Sequence, residues 1–141
     1  MKLNNQSGFS LIELLLVLVI ISVLATITFP FLYRVKGSAE NVNAVATLRT
    51  AASAQVSYFS QNGRFARIGE LNTSQSGGLG TVVGTELLRG KFTFQMLPVT
   101  PSDAQLRDGY TIVATKAVSG SELPCIISLD QTGFITKVIT C

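Results

Sequence analysis

One apolar run near the start of this 141-residue chain constrains everything that follows. Between Phe9 and Tyr33 the polar exceptions are Ser10, Glu13, Ser22, Thr26 and Thr28. A helix rises about 1.5 Å per residue, so about 20 apolar residues cross the hydrocarbon core of a bilayer. The run therefore reads as a membrane-spanning helix, and the rest of the fold has to be organised behind it. Its single charge is Glu13. An acid inside such a helix costs roughly 2.5–3.5 kcal/mol on insertion scales, so Glu13 is expected to lie near the interface or to meet a cation. A cut after Gly8 would create one, the α-amine of Phe9, about one helical turn away in the same chain or across to a neighbour. Low dielectric strengthens that pair while desolvation cancels much of the gain, which makes it a register lock more than a glue. A secretory signal peptide is the competing reading. The run is longer than a typical apolar region of that kind, and Glu13 fits it poorly.

The polar leader Met1-Lys2-Leu3-Asn4-Asn5-Gln6-Ser7-Gly8, followed by Phe9-Ser10-Leu11-Ile12-Glu13 and an unbroken apolar helix, resembles the processing motif of type IV pilins and pseudopilins. The resemblance implies cleavage by a prepilin peptidase between Gly8 and Phe9 and N-methylation of Phe9 by the same enzyme. It implies a role for Glu13 in recruitment to the filament and in pairing with a neighbour's N-terminus. Pro30 matches the proline that commonly bends the family's first helix. The close resemblance covers roughly residues 7–60; beyond that it is one of general organisation. Many family leaders place a basic residue before the glycine, where this chain has Ser7. Lys2 precedes the helix while Arg34 and Lys36 follow it, so flanking charge alone does not orient it. The resemblance implies a cytoplasmic N-terminus.

Past the apolar run, Pro30 is expected to kink or locally melt the helix, and Gly37 offers a second soft point. Val35, Ala39, Val42, Val45, Leu48, Ala52, Val56 and Phe59 then recur at intervals of three and four, an amphipathic stripe expected to face the core. From Phe9 to Gln61 such a helix would extend about 80 Å. Gln61-Asn62-Gly63 should end it. Residues 64–90 read as a connection, flexible at Gly77, Gly78 and Gly80, with one possible helical turn over residues 85–89. Asn72-Thr73-Ser74 matches a glycosylation sequon. Alternation places strands at residues 91–96, 110–115, 125–129 and 134–139, with turns at Pro98–Pro101 and at residues 130–133. Hairpin connections make the sheet antiparallel.

Several chemistries lack their residues. The chain has no histidine, which removes the commonest general base and a common metal ligand. The glycines lack the setting of a phosphate loop. Asp103, Asp108 and Asp130 fall in expected loops without the dense pattern of calcium sites. Tyr58, Phe59, Phe65 and Tyr110 read as core more than as an aromatic surface. A net charge of +3 is too mild to indicate nucleic acid by itself. Cys125 and Cys141 are the two cysteines. Beyond the membrane the compartment is oxidising, which favours a disulfide worth roughly 3 kcal/mol for so short a loop. A simple hairpin about residues 130–133 argues back, since it sets Cys125 opposite Val138.

The expectation is an α+β fold: a long N-terminal helix, membrane-spanning and then amphipathic, packed on a four-stranded antiparallel sheet, as in type IV pilins. Residues 1–8 form the leader and 9–33 the membrane and filament-core half of the helix. Residues 34–141 form the head, with the amphipathic half to about 61, a connecting loop at 62–90 and the sheet at 91–141. The expected function is that of a structural, non-enzymatic pilus subunit, used in adhesion, motility or DNA uptake. It would need no cofactor and no metal. The alternatives are a pseudopilin of a type II secretion system, or a minor tip pilin binding DNA or a surface. Expected partners are other copies of the chain, the prepilin peptidase, the inner-membrane assembly machinery and, before assembly, lipid; nucleic acid is the least supported. The precursor would lie in the inner membrane and the product in an extracellular fibre.

Overall fold

The computed structural model describes residues 9–116 and 124–139, with the side chains of residues 30, 31, 33, 34 and 139 outside that description. The chain divides into two compact units, Met1–Gly37 and Ser38–Cys141. Helix α1 (Leu11–Asn62) contributes its first part to one unit and its second part to the other.

In the first unit, Leu11–Phe29 is long and apolar enough to cross a membrane, and none of it is buried among the described residues. The polar exceptions within it are satisfied locally. The hydroxyls of Ser22, Thr26 and Thr28 donate to the carbonyls of Leu18, Val23 and Leu24 at 2.7, 2.7 and 2.9 Å. A polar group in hydrocarbon needs such an internal partner. The helical assignment continues through Pro30 and Gly37, so the expected local melting is absent. The proline ring still removes one N–H, which leaves the carbonyl one turn back, that of Thr26, without its regular donor.

The second unit is an antiparallel sheet backed by helix. Its strands are β1 (Thr81–Val83), β2 (Glu86–Arg89), β3 (Phe92–Met96), β4 (Thr111–Lys116), β5 (Cys125–Asp130) and β6 (Ile135–Ile139), joined in sequence order. Short helix α2 (Ile68–Ser74) packs against β1 and β2, and α3 (Gln105–Asp108) lies between β3 and β4 in the chain. The expected four strands correspond to β3 to β6. The sheet has six, because the segment read as a connection holds β1 and β2, and residues 85–89 are strand and turn, not helix. The physical reason lies in two tight turns. Val83 pairs with Glu86 across Gly84-Thr85, and Arg89 pairs with Phe92 across Gly90-Lys91. Gly84 and Gly90 both take φ +62°, the left-handed first position that a two-residue hairpin requires.

The core lies between the inner face of this sheet and α1. Leu87, Phe92, Phe94, Met96, Ile112, Ala114, Ile127 and Leu129 meet Ala44, Leu48, Ala51 and Ala54, with Ile68, Leu71 and Leu106 closing the ends. The helix face is not the expected stripe. Leu48 is buried, and Val45 and Ala52 are half-buried, but Val35, Ala39, Val42, Val56 and Phe59 are exposed. The buried face is instead Ala44, Thr47, Leu48, Ala51, Ala54 and Gln55. Three of these six are alanines, so the helix presents mainly small side chains to the sheet. The two polar residues enter because each finds a backbone partner: Thr47 donates to the carbonyl of Asn43 at 2.8 Å, and Gln55 bonds both backbone groups of Ala66.

Candidate functional site

Of the residues singled out for processing and assembly, Phe9 and Glu13 lie at the start of α1 and Pro30 lies within it. Gly8 lies outside the described residues. Phe9 precedes the helix and is 90% exposed. The helix begins at Leu11, which makes Ser10 the capping position and Glu13 the third helical residue. The Ser10 backbone N–H donates to Glu13 Oε2 at 2.9 Å. The first N–H groups of a helix have no partner inside it, and a glutamate at the third position commonly reaches back to supply one. The same end carries the positive pole of the helix dipole, which favours a carboxylate there. Glu13 thus has a donor within its own chain, in addition to the two escapes considered from sequence. The spacing Ser-x-x-Glu ahead of an apolar run was the available signal.

Behind this cap the surface is apolar and unpartnered. Large side chains from Leu11 to Phe29 are exposed along the helix on every side. A helix apolar all round is stable only against lipid or against other helices. The N-terminal segment therefore offers a capped carboxylate, an exposed residue before it and a long apolar rod.

The head is fastened to its own part of α1 by polar clamps that sequence reasoning did not find. Gln55 is fully buried; its Nε2 donates to the Ala66 carbonyl at 2.8 Å and its Oε1 accepts from the Ala66 N–H at 2.7 Å. Glu40 accepts from Lys116 at 2.8 Å and pairs with Lys91 at 3.4 Å. The Lys116 ammonium, more than Lys91, holds the Glu40 carboxyl below its usual range. After the helix, Arg64 grips Glu70 with both terminal nitrogens, at 2.8 and 2.7 Å, and its guanidinium lies 5.7 Å from the Tyr58 ring centroid. Arg67 reaches Asp103 at 2.6 Å and the Pro101 carbonyl. The Arg64 hydrogen bonds, helped by the Arg67 N–H, pull the Glu70 carboxyl down to about 2. Phe59, Phe65 and Tyr110 stack in series at 4.7 Å each. Tyr110 is core, as expected, whereas Phe59 lies at the surface. Burial pushes the Tyr110 hydroxyl up to about 12.

Other sequence candidates are placed as follows. The sequon residue Asn72 is buried; its amide nitrogen donates to the Gly80 carbonyl at 3.1 Å and its oxygen accepts from the Leu79 N–H at 3.2 Å. Its nitrogen is committed to folding the loop, and the sequon does not present a free amide. Asp130 caps its own turn through Thr132 and Phe134, and Asp103 belongs to the arginine network. Cys125 is buried on the inner face of β5, and Cys141 lies outside the described residues. The expected Cys125–Val138 pairing is not the observed register. Leu129 pairs with Ile135, and beyond an irregularity Ile126 pairs with Ile139.

The likeness to known proteins is confined to the N-terminal part of the chain. Residues 3–29 match the family described as Prokaryotic N-terminal methylation motif. The chain carries the type IV prepilin and pseudopilin signature. The match takes in residues 3–8, the cap at Ser10 and Glu13 and the apolar helix as far as Phe29. That family is a structural pilin type, and the motif implies processing by prepilin peptidase and assembly into a filament. The apolar helix is consistent with membrane anchoring. No curated protein and no solved structure matches the chain.

Proposed function

We propose that this chain is the structural subunit of a type IV pilus, cleaved between Gly8 and Phe9, methylated on Phe9 and assembled through its first helix. The observation that carries the reading is the methylation motif at residues 3–29, continuous with a helix whose apolar surface is unburied among the described residues. On this reading residues 1–8 are a leader, 9–33 serve first as a membrane anchor and then as filament core, and 34–141 form the outer head. Glu13 meets the Phe9 amine of a neighbouring subunit once the leader is gone. Contacts between helices replace contacts with lipid, which are equally apolar, so polarity at Glu13 sets the register. Growth carries the rods into an aqueous exterior, where their mutual burial becomes strongly favourable. Pro30, which removes one helical hydrogen bond, gives the rod a point at which to adjust during packing. Cys125 and Cys141 close the last strands as a disulfide. Its support is that the register extends to Ile139, two residues short of Cys141.

The test is mass spectrometry of fibres sheared from cells, reading the N-terminal peptide together with subunit abundance. The expected result is a dominant protein beginning at methylated Phe9. A processed form confined to membranes or found at trace level would favour a pseudopilin or a tip subunit. A chain still beginning at Met1 would overturn the reading.

A further inference from the structure

The sheet-bearing unit carries charges that its ion pairs among the described residues leave unneutralised; Arg89, on the same strand as Glu86, is one of them and donates instead to the Gly78 and Leu79 carbonyls. Glu40, Glu70 and Asp103 are paired with Lys91, Lys116, Arg64 and Arg67. Among the described residues no ion pair includes Arg49 or Lys137, and none includes Glu86. The two cations stand together. They line a groove of about 670 Å³ between α1 and edge strand β6, whose walls also include Asn41, Val42 and Val45. Val42 is 64% exposed beside them. The acid stands at the other side of the sheet, since the strand order places β1 and β2 opposite β6. There the β1–β2 hairpin ends in Val83, Gly84, Thr85 and Glu86. Val83 is 58% exposed at that tip, and among the described residues Glu86 accepts one long hydrogen bond, 3.4 Å, from Gln95.

An exposed valine next to an unpaired acid on one edge matches an exposed valine next to two unpaired cations on the other. We propose that the β1–β2 hairpin of one copy docks in the α1–β6 groove of the next, with Val83 against Val42 and Glu86 between Arg49 and Lys137. The occupant is a second copy because both halves of the complementarity are present on this one chain. The two patches are different surfaces, so the contact is heterologous. Such a contact leaves a free hairpin at one end and a free groove at the other, and it propagates without limit unless the rotation closes a ring. Complementary charge fixes which partner and which register are accepted. The inference deepens the filament reading and rests on it for the second copy, but it assigns the contact to the heads and not to the apolar rods. It also gives the exposed β6 edge a cover, a surface that folded proteins rarely leave bare.

The experiment is thiol cross-linking in cells with the full-length chain carrying Val42→Cys and Val83→Cys together, using a short bis-maleimide. A ladder of covalent oligomers with the double variant, and none with either single variant, is the expected result. Co-expression of the two single variants should give dimers and nothing longer. Dimers from Val83→Cys alone would indicate a self-matching contact and overturn the proposal, as would the absence of any ladder. A charge exchange supplies the second measurement. Lys137→Glu and Glu86→Lys should each lower the ladder yield about tenfold, and the two together should restore most of it; equal losses in single and double variants would count against the pairing. The Phe9 terminus is read in the same preparations. Methylated Phe9 without a ladder removes this contact and leaves the filament reading; a ladder on a chain still beginning at Met1 does the reverse.

Discussion

Replacing Gln55 with methionine tests whether the polar clamp, and not apolar area alone, seats the chain after α1. Methionine keeps the length and approximate volume of the side chain and removes both hydrogen bonds. The Ala66 N–H and carbonyl, now bonded at 2.7 and 2.8 Å in a fully buried position, would each be left unsatisfied. A buried unpaired backbone group costs about 1–3 kcal/mol, and the more apolar methionine offsets a part, so the net loss is about 2–4 kcal/mol. For a unit of roughly 100 residues that is a fall in Tm of about 10–25 °C. The assay is thermal unfolding of the detergent-solubilised full chain, followed by tyrosine near-ultraviolet circular dichroism. Limited trypsin cleavage after Arg64 and Arg67 serves as the local readout. Cleavage there should accelerate in the variant even below its melting range, because the segment they occupy has lost its anchor. A variant within about 0.5 kcal/mol of the wild type, with unchanged cleavage, would refute the reasoning.

Three further outcomes follow from the same geometry. Glu70 has its folded pKa depressed to about 2, so it contributes stability that is fully present above the usual glutamate range and lost as pH falls from about 4.5 towards 2. Glu70→Gln should flatten that acid limb in pH-dependent melts. Asn72→Ala should destabilise by about 1–3 kcal/mol through the loss of its bonds to Leu79 and Gly80, and intact mass from a glycosylating host should show no glycan at Asn72 in the wild type. Glu13→Ala should leave membrane insertion intact, as read by fractionation, and sharply reduce sheared fibre; normal fibres from that variant would remove Glu13 from the assembly mechanism.

The distinction between the two halves of the chain is also one of legibility. The rod and its motif could be read from sequence because their physics is local: apolar length against bilayer thickness, a glycine before Phe9, an acid five residues on. The four long strands, the end of α1 near Asn62 and the turn at residues 130–133 were legible for the same reason, through alternation and turn chemistry. What sequence missed was short or depended on distant partners. Strands β1 and β2 are three and four residues long, too short for alternation to stand out, and only their glycine turns marked them. Apolar periodicity favours a stripe through Val42 and Val56, whereas the helix face that meets the sheet is the one with Ala44, Leu48, Ala51 and Ala54. Gln55 and Asn72 are polar, and each is buried because backbone groups outside its own helix turn complete its hydrogen bonds. Sequence alone determined that this protein has a membrane-length rod with a processing motif at its N-terminal end, since those properties belong to contiguous residues. Only the tertiary structure decided which helix face is core, which polar groups are satisfied and which charges remain unpaired on opposite edges, because each of these is a relation between residues that the chain brings together by folding.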